Sequence, residues 1–138
     1  RYDALVADTF ISQQELDAAT RTARERNTHV EAVLIDDYKV PPATIGKALV
    51  RFYGVPYEPF KPDRIKPLDL LKNLKRQFAE QSLWLPIEET KEGVLVMTAD
   101  PEQVKSTRII HSIFPKSQIQ YRVTTLQEFA QTVNDFFG

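Results

Sequence analysis

The sequence predicts an α+β fold: an N-terminal duplicated helix-turn-helix unit, then a small three-stranded sheet packed with helices. Three observations carry this expectation. A phrase with helical apolar spacing occurs twice, as LVADTFISQQELDAA from Leu5 and LIDDYKVPPATIGKA from Leu34. Downstream, LWLPIEET and GVLVMT flank a Gly93 turn like a hairpin, and QIQYRV alternates like a further strand. Capped amphipathic segments lie between and after these strands, so helices alternate with strands in the second half.

The first phrase opens with Leu5 and Val6 on a short amphipathic turn, followed by Phe10 and Ile11. Ser12-Gln13-Gln14-Glu15 then has the pattern of a capping box, in which hydroxyl and carboxylate each satisfy the other residue's backbone amide. Leu16, Ala19 and Ala23 follow on one helical face. The run Arg21, Arg24, Glu25, Arg26 closes that helix, with cations near its negative end. In the second copy Leu34, Ile35, Val40, Ile45 and Ala48 replace the apolar residues of the first. Pro41 and Pro42 stand at the cap and first helical positions, where no backbone donor is needed. The matched positions are mostly apolar and the unmatched ones mostly polar, as a shared core requires.

GVPYEPFKPDRIKP holds four prolines and reads as an extended connector. A helix is expected through Leu68, Leu71, Leu74 and Phe78. Trp84 should face away from its strand neighbours and anchor a core. Asp100-Pro101 marks the start of one helix carrying Val104, Ile110, Ile113 and Phe114, and Thr125-Leu126-Gln127-Glu128 is a second capping box opening a final helix. We divide the chain into a helical repeat subdomain, 1–56, and an α/β subdomain, 57–138.

Composition excludes several function classes. The chain has 138 residues and a formal charge of -1, so no global field draws it to nucleic acid. It has no cysteine, which removes disulfides and thiolate metal sites. No apolar run approaches the roughly 20 residues needed to span a bilayer. Residue 1 is Arg rather than Met, which suggests a piece of a longer protein. The four glycines are scattered and no G-x-x-x-x-G-K-[ST] occurs, so P-loop nucleotide hydrolysis is not expected of this piece. His29 and His111 have no metal-ligand spacing, and Asp36-Asp37 and Glu88-Glu89 are neighbours that point in different directions. No catalytic residue, metal or cofactor is therefore expected. Basic residues cluster at Arg21, Arg24 and Arg26, and again over Lys61–Arg76, where six basic residues meet two acidic ones.

The doubled phrase, the junction ALVRFYGVPYEPF, the LWLPI passage, GVLVMTADP and the closing FFG together resemble a known family over nearly the whole chain. It is the N-terminal domain of type II secretion and type IV pilus assembly ATPases. The resemblance implies a non-catalytic domain preceding a separate ATPase domain. It further implies docking onto the cytoplasmic part of an inner-membrane platform protein, hence a cytoplasmic location, peripheral at the inner membrane. Neither nucleic-acid binding nor direct membrane insertion is implied.

Some members of the family bind cyclic di-GMP through the doubled phrase, using R-L-G openings, turn glycines and closing glutamines. Here the spacing is kept but the polar residues are not. His29 stands at the second Arg position, Tyr2 and Glu31 at the R-L-G glycines, Thr9 and Tyr38 at the turn glycines, and Ala23 and Phe52 at the glutamines. Each lost charge-assisted bond costs about 1.5–3 kcal/mol, against about 8 kcal/mol for micromolar affinity. Cyclic di-GMP is therefore expected to bind poorly or not at all. The expected contact surface for a protein partner is Phe10, Arg21, Arg24, Arg26, His29 and Tyr38. Two alternatives stand beside this reading: a nucleotide-sensing module in which Arg24, Arg26 and Arg51 compensate, and the same fold serving a different parent enzyme.

Overall fold

The computed structural model describes all of residues 1–138. The doubled phrase folds as two helix-turn-helix units: α1 (Asp3–Ala7) with α2 (Gln13–Glu25), and α3 (Val30–Asp36) with α4 (Pro42–Tyr53). Ser12 forms the full capping box, accepting from the Glu15 amide while the Glu15 carboxylate accepts from its own. Pro41 and Pro42 occupy the cap and first turn of α4. The two copies share one core. Leu5, Ile11, Leu16, Ala19 and Ala23 meet Leu34, Val40, Ile45, Ala48 and Leu49, all buried. Burying each of the larger aliphatics stabilises the unit by about 1.5–3 kcal/mol. The turns are left-handed at Thr9 and Lys39, both with φ 56°. In the second copy the left-handed residue is thus one place beyond Tyr38, where the repeat alignment put the turn glycine.

The connector does more than extend. Pro56, Tyr57 and Glu58 line up beside the last strand: the Val123 amide donates to Pro56 O (2.8 Å) and the Glu58 amide to Val123 O (2.9 Å). Val123 belongs to the helical core, so this strand end joins the repeat unit to the sheet. The Tyr57 ring lies against buried Gly46 of α4, where an added Cβ would sit 2.6 Å from ring carbons. We expect Gly46→Ala to destabilise the chain by about 1–2 kcal/mol in urea denaturation. The helix gains about 1 kcal/mol from alanine and loses more to the displaced ring.

The segment expected as one helix from Leu68 to Phe78 is two, α5 (Leu68–Leu71) and α6 (Arg76–Ser82). The reason is packing. Leu71 joins the cluster on one face of the sheet and Phe78 the cluster on the other. An unbroken helix would hold these residues, seven apart, on one stripe. The sheet has the order β1 (Trp84–Thr90), β2 (Gly93–Thr98), β3 (Ile119–Val123), with β1 antiparallel and β3 parallel to β2. Alternation sends Leu85, Ile87, Leu95 and Met97 toward α9 (Leu126–Phe137), against Phe129, Val133 and Phe136. The other face takes Trp84, Val94 and Val96, with Phe78 and Phe114 edge-on to the Trp84 ring at 6.0 and 6.5 Å.

The helix expected after Asp100-Pro101 also breaks, into α7 (Pro101–Thr107) and α8 (Ile109–Ile113), at Arg108 with φ 56°. Val104 and Ile110 would lie about 120° apart on a continuous helix, and the break brings both into the Trp84 cluster. The second capping box forms only by half. The Thr125 hydroxyl accepts from the Glu128 amide, but the Glu128 carboxylate turns to other partners.

Candidate functional site

The first residues of the two copies meet. Tyr2 and Glu31 occupy matching positions of the repeat, and the Tyr2 hydroxyl donates to Glu31 Oε2 at 2.5 Å. The other oxygen, Oε1, accepts from the amide of Leu126, the first residue of α9, at 2.9 Å. Both side chains are buried, Tyr2 to 8% exposure and Glu31 to 3%. The rings of His29 and Tyr2 are nearly perpendicular, with centroids 6.5 Å apart. His29 caps α3, its Nδ1 accepting from the Glu31 amide at 3.1 Å. Two bonded side chains thus fill matching positions of the repeat, and the Nδ1 of His29 is already engaged.

A second buried carboxylate lies one turn into α9. Glu128 accepts from the Tyr57 hydroxyl (2.6 Å), the Phe60 amide (2.9 Å) and the Thr125 hydroxyl (3.0 Å). Burial, then the charge of the partner carboxylate, pushes the Tyr2 hydroxyl far above its ordinary range. Burial and the hydrogen bond to Glu128 do the same for Tyr57. Both tyrosines therefore stay protonated donors. The first turn of α9 is where the repeat unit and the connector are both tied down.

The expected contact residues are scattered unevenly. Arg21 and Arg24 lie one turn apart on α2, exposed and outside the ion pairs. Arg26 reaches Asp37 at the far end of α3, at 2.9 Å. Tyr38, in the next turn, is half-buried against the helical core. Phe10 is 47% exposed but lies before α2, about 20 Å along the helix from Arg26. The structure therefore gathers Arg21, Arg24, Arg26 and His29 at one end of the repeat unit and leaves Phe10 at the other. Beyond the expected set, Phe52 is 50% exposed and lines a groove of about 310 Å³ with Arg1, Ala4, Ala7, Ala48 and Arg51. One signal was present in the sequence: Phe52 matches Ala23 in the repeat, a buried alanine in one copy against an exposed aromatic in the other. No cluster of His, Asp and Glu is arranged to hold a metal ion, and no helix is long and apolar enough to cross a membrane.

A sequence profile of the MshEN domain matches residues 53–138. The chain belongs to the MshEN domain family. The type IV pilus assembly ATPase PilB of Myxococcus xanthus is 24% identical over 102 residues, 74% of this chain and 18% of PilB. This MshEN domain thus spans about a fifth of the length of that relative. Among solved structures, MshE with cdg (cyclic di-GMP) matches with a TM-score of 0.69 at 14% identity, covering 99% of this chain and 97% of that one. The N-terminal domain of XpsE matches in two crystal forms. The TM-scores are 0.61 and 0.56 at 15% identity, over 99% and 98% of this chain and 92% and 93% of the other. These likenesses establish the fold. The profile match covers residues 53–138, and the likeness of fold to MshE covers 99% of the chain, the helical half included.

Proposed function

We propose that this MshEN domain is a non-catalytic interaction module of a secretion or pilus-assembly ATPase, and that it docks the motor onto the cytoplasmic part of an inner-membrane platform protein. The observation that carries the proposal is the Tyr2–Glu31 pair: the duplicated scaffold is intact while the positions a nucleotide would use hold the protein's own buried side chains. The similarity to PilB supplies the context. Residues 1–56 would present the docking face, at Arg21, Arg24, Arg26, His29 and Tyr38 with Phe10 at its far end. Residues 57–138 would hold that face to the downstream ATPase domain, keeping the module on the cytoplasmic side through its partners.

The test is a pull-down with the platform's cytoplasmic domain, comparing the unaltered domain with Arg21→Glu/Arg24→Glu. Both sites are exposed and unpaired, so the fold is kept, at a cost of about 0.3–1 kcal/mol for a charge reversed near the C-terminus of α2. We expect binding to weaken about tenfold, since two charge-assisted contacts are reversed. Undiminished binding would reject the surface assignment. A second reading, cyclic di-GMP sensing, is favoured by one observation, the whole-length likeness to MshE solved with that ligand. Arg24, Arg26 and Arg51 would then have to serve it, yet Arg26 and Arg51 are paired with Asp37 and Asp8.

A further inference from the structure

We propose that the groove between α7, α8 and β3 binds a phosphate-bearing anion. The groove has a volume of about 490 Å³ and is lined by Lys105, Arg108, His111 and Tyr121, with no carboxylate among them. Six of the nine arginines, Arg1, Arg26, Arg51, Arg64, Arg76 and Arg122, are held by acidic partners. Arg108 is not, and neither is Lys105, whose ammonium lies 4.9 Å from the centre of the Tyr121 ring. The acids closest in sequence are turned elsewhere. Asp100 takes Arg1 at 3.6 Å, and Glu102 forms no ion pair with Lys105 or Arg108.

The left-handed backbone at Arg108 breaks the helix, so Lys105 on α7 and His111 on α8 line one groove instead of following a single helix face. Two exposed, unpaired cations and an imidazole beside an aromatic ring form a cluster without an internal counter-ion. A phosphate group offers several acceptor oxygens to such a set and is the anion that Arg and Lys hold best together. The inference stands independently of the docking reading, because the groove lies on the opposite half of the sequence from the proposed contact residues.

The shared chemistry is the phosphate group, from a free anion or from a lipid headgroup, and the experiment separates the two. The 138-residue chain is titrated with pyrophosphate at about 50 mM salt and followed by two-dimensional NMR, with sodium chloride as the ionic-strength control. In parallel it is sedimented with phosphatidylcholine vesicles with or without phosphatidylglycerol. We expect saturable shifts confined to Lys105, Arg108, His111 and Tyr121, with affinity reduced about tenfold in Arg108→Glu. Lys105→Glu gives the same reading should the left-handed position tolerate glutamate poorly. Binding to phosphatidylglycerol vesicles alone would assign the site to a lipid headgroup, and binding to pyrophosphate alone to a soluble phosphate. Absence of both, shifts spread over the whole basic surface, or unchanged binding in both variants would overturn the proposal.

Discussion

Replacing Glu31 by alanine is expected to lower the unfolding free energy by about 3 kcal/mol, read as a melting midpoint roughly 10 °C lower. The loss has two parts. The Tyr2 hydroxyl loses its acceptor in a buried setting and the Leu126 amide in a half-buried one. An unsatisfied buried donor costs about 1–3 kcal/mol. Tyr2→Phe removes one donor together with the need for it, so it should cost only about 1 kcal/mol, and the pair should be coupled in a double-mutant cycle. A solvated Glu31, as a ligand-facing surface residue would be, predicts a change within about 0.5 kcal/mol instead.

The second large effect is at Glu128. We expect Glu128→Ala to cost about 4 kcal/mol, because three donors lose one carboxylate: the Tyr57 hydroxyl, the Phe60 amide and the Thr125 hydroxyl. Glu128→Gln retains an acceptor for part of this set and should recover roughly half of the loss. Thermal melts of the two variants measure this directly. Leu126 and Glu128 are two residues apart, so the Glu31 and Glu128 substitutions should be non-additive. Together they should remove up to about 7 kcal/mol, a large share of the about 5–15 kcal/mol that such domains hold. If Glu128→Ala melts with the parent, α9 does not anchor the connector.

Local rules made much of this legible in the sequence. The doubled apolar phrase, the Ser12 capping box, Pro41-Pro42, the hairpin around Gly93 and the Asp100-Pro101 helix start depend on residues near one another in the chain, and all are present. Trp84 sits where alternation put it, 1% exposed. What escaped depends on contacts across the fold. The break between α5 and α6 exists because Leu71 and Phe78 serve opposite faces of the sheet, which helical spacing does not reveal. The break at Arg108 has the same origin, and it creates the basic groove. Glu128 left its own cap because the Tyr57 hydroxyl and Phe60 amide, about seventy residues away, compete for it. In the sequence Glu31 stood out only as a residue at the place of an R-L-G glycine. Its match with Tyr2 in the repeat was visible, but that the two would bond to each other and to α9 was not.

The measurement that bears most directly on the whole account is a calorimetric titration of the 138-residue chain with cyclic di-GMP. The proposed function, with Tyr2 and Glu31 bonded to each other and not free for a ligand, predicts no heat and no thermal shift up to about 100 μM ligand. Saturable heat with a micromolar dissociation constant, lost on changing Arg24 or Arg51, would contradict it and restore this domain to nucleotide sensing.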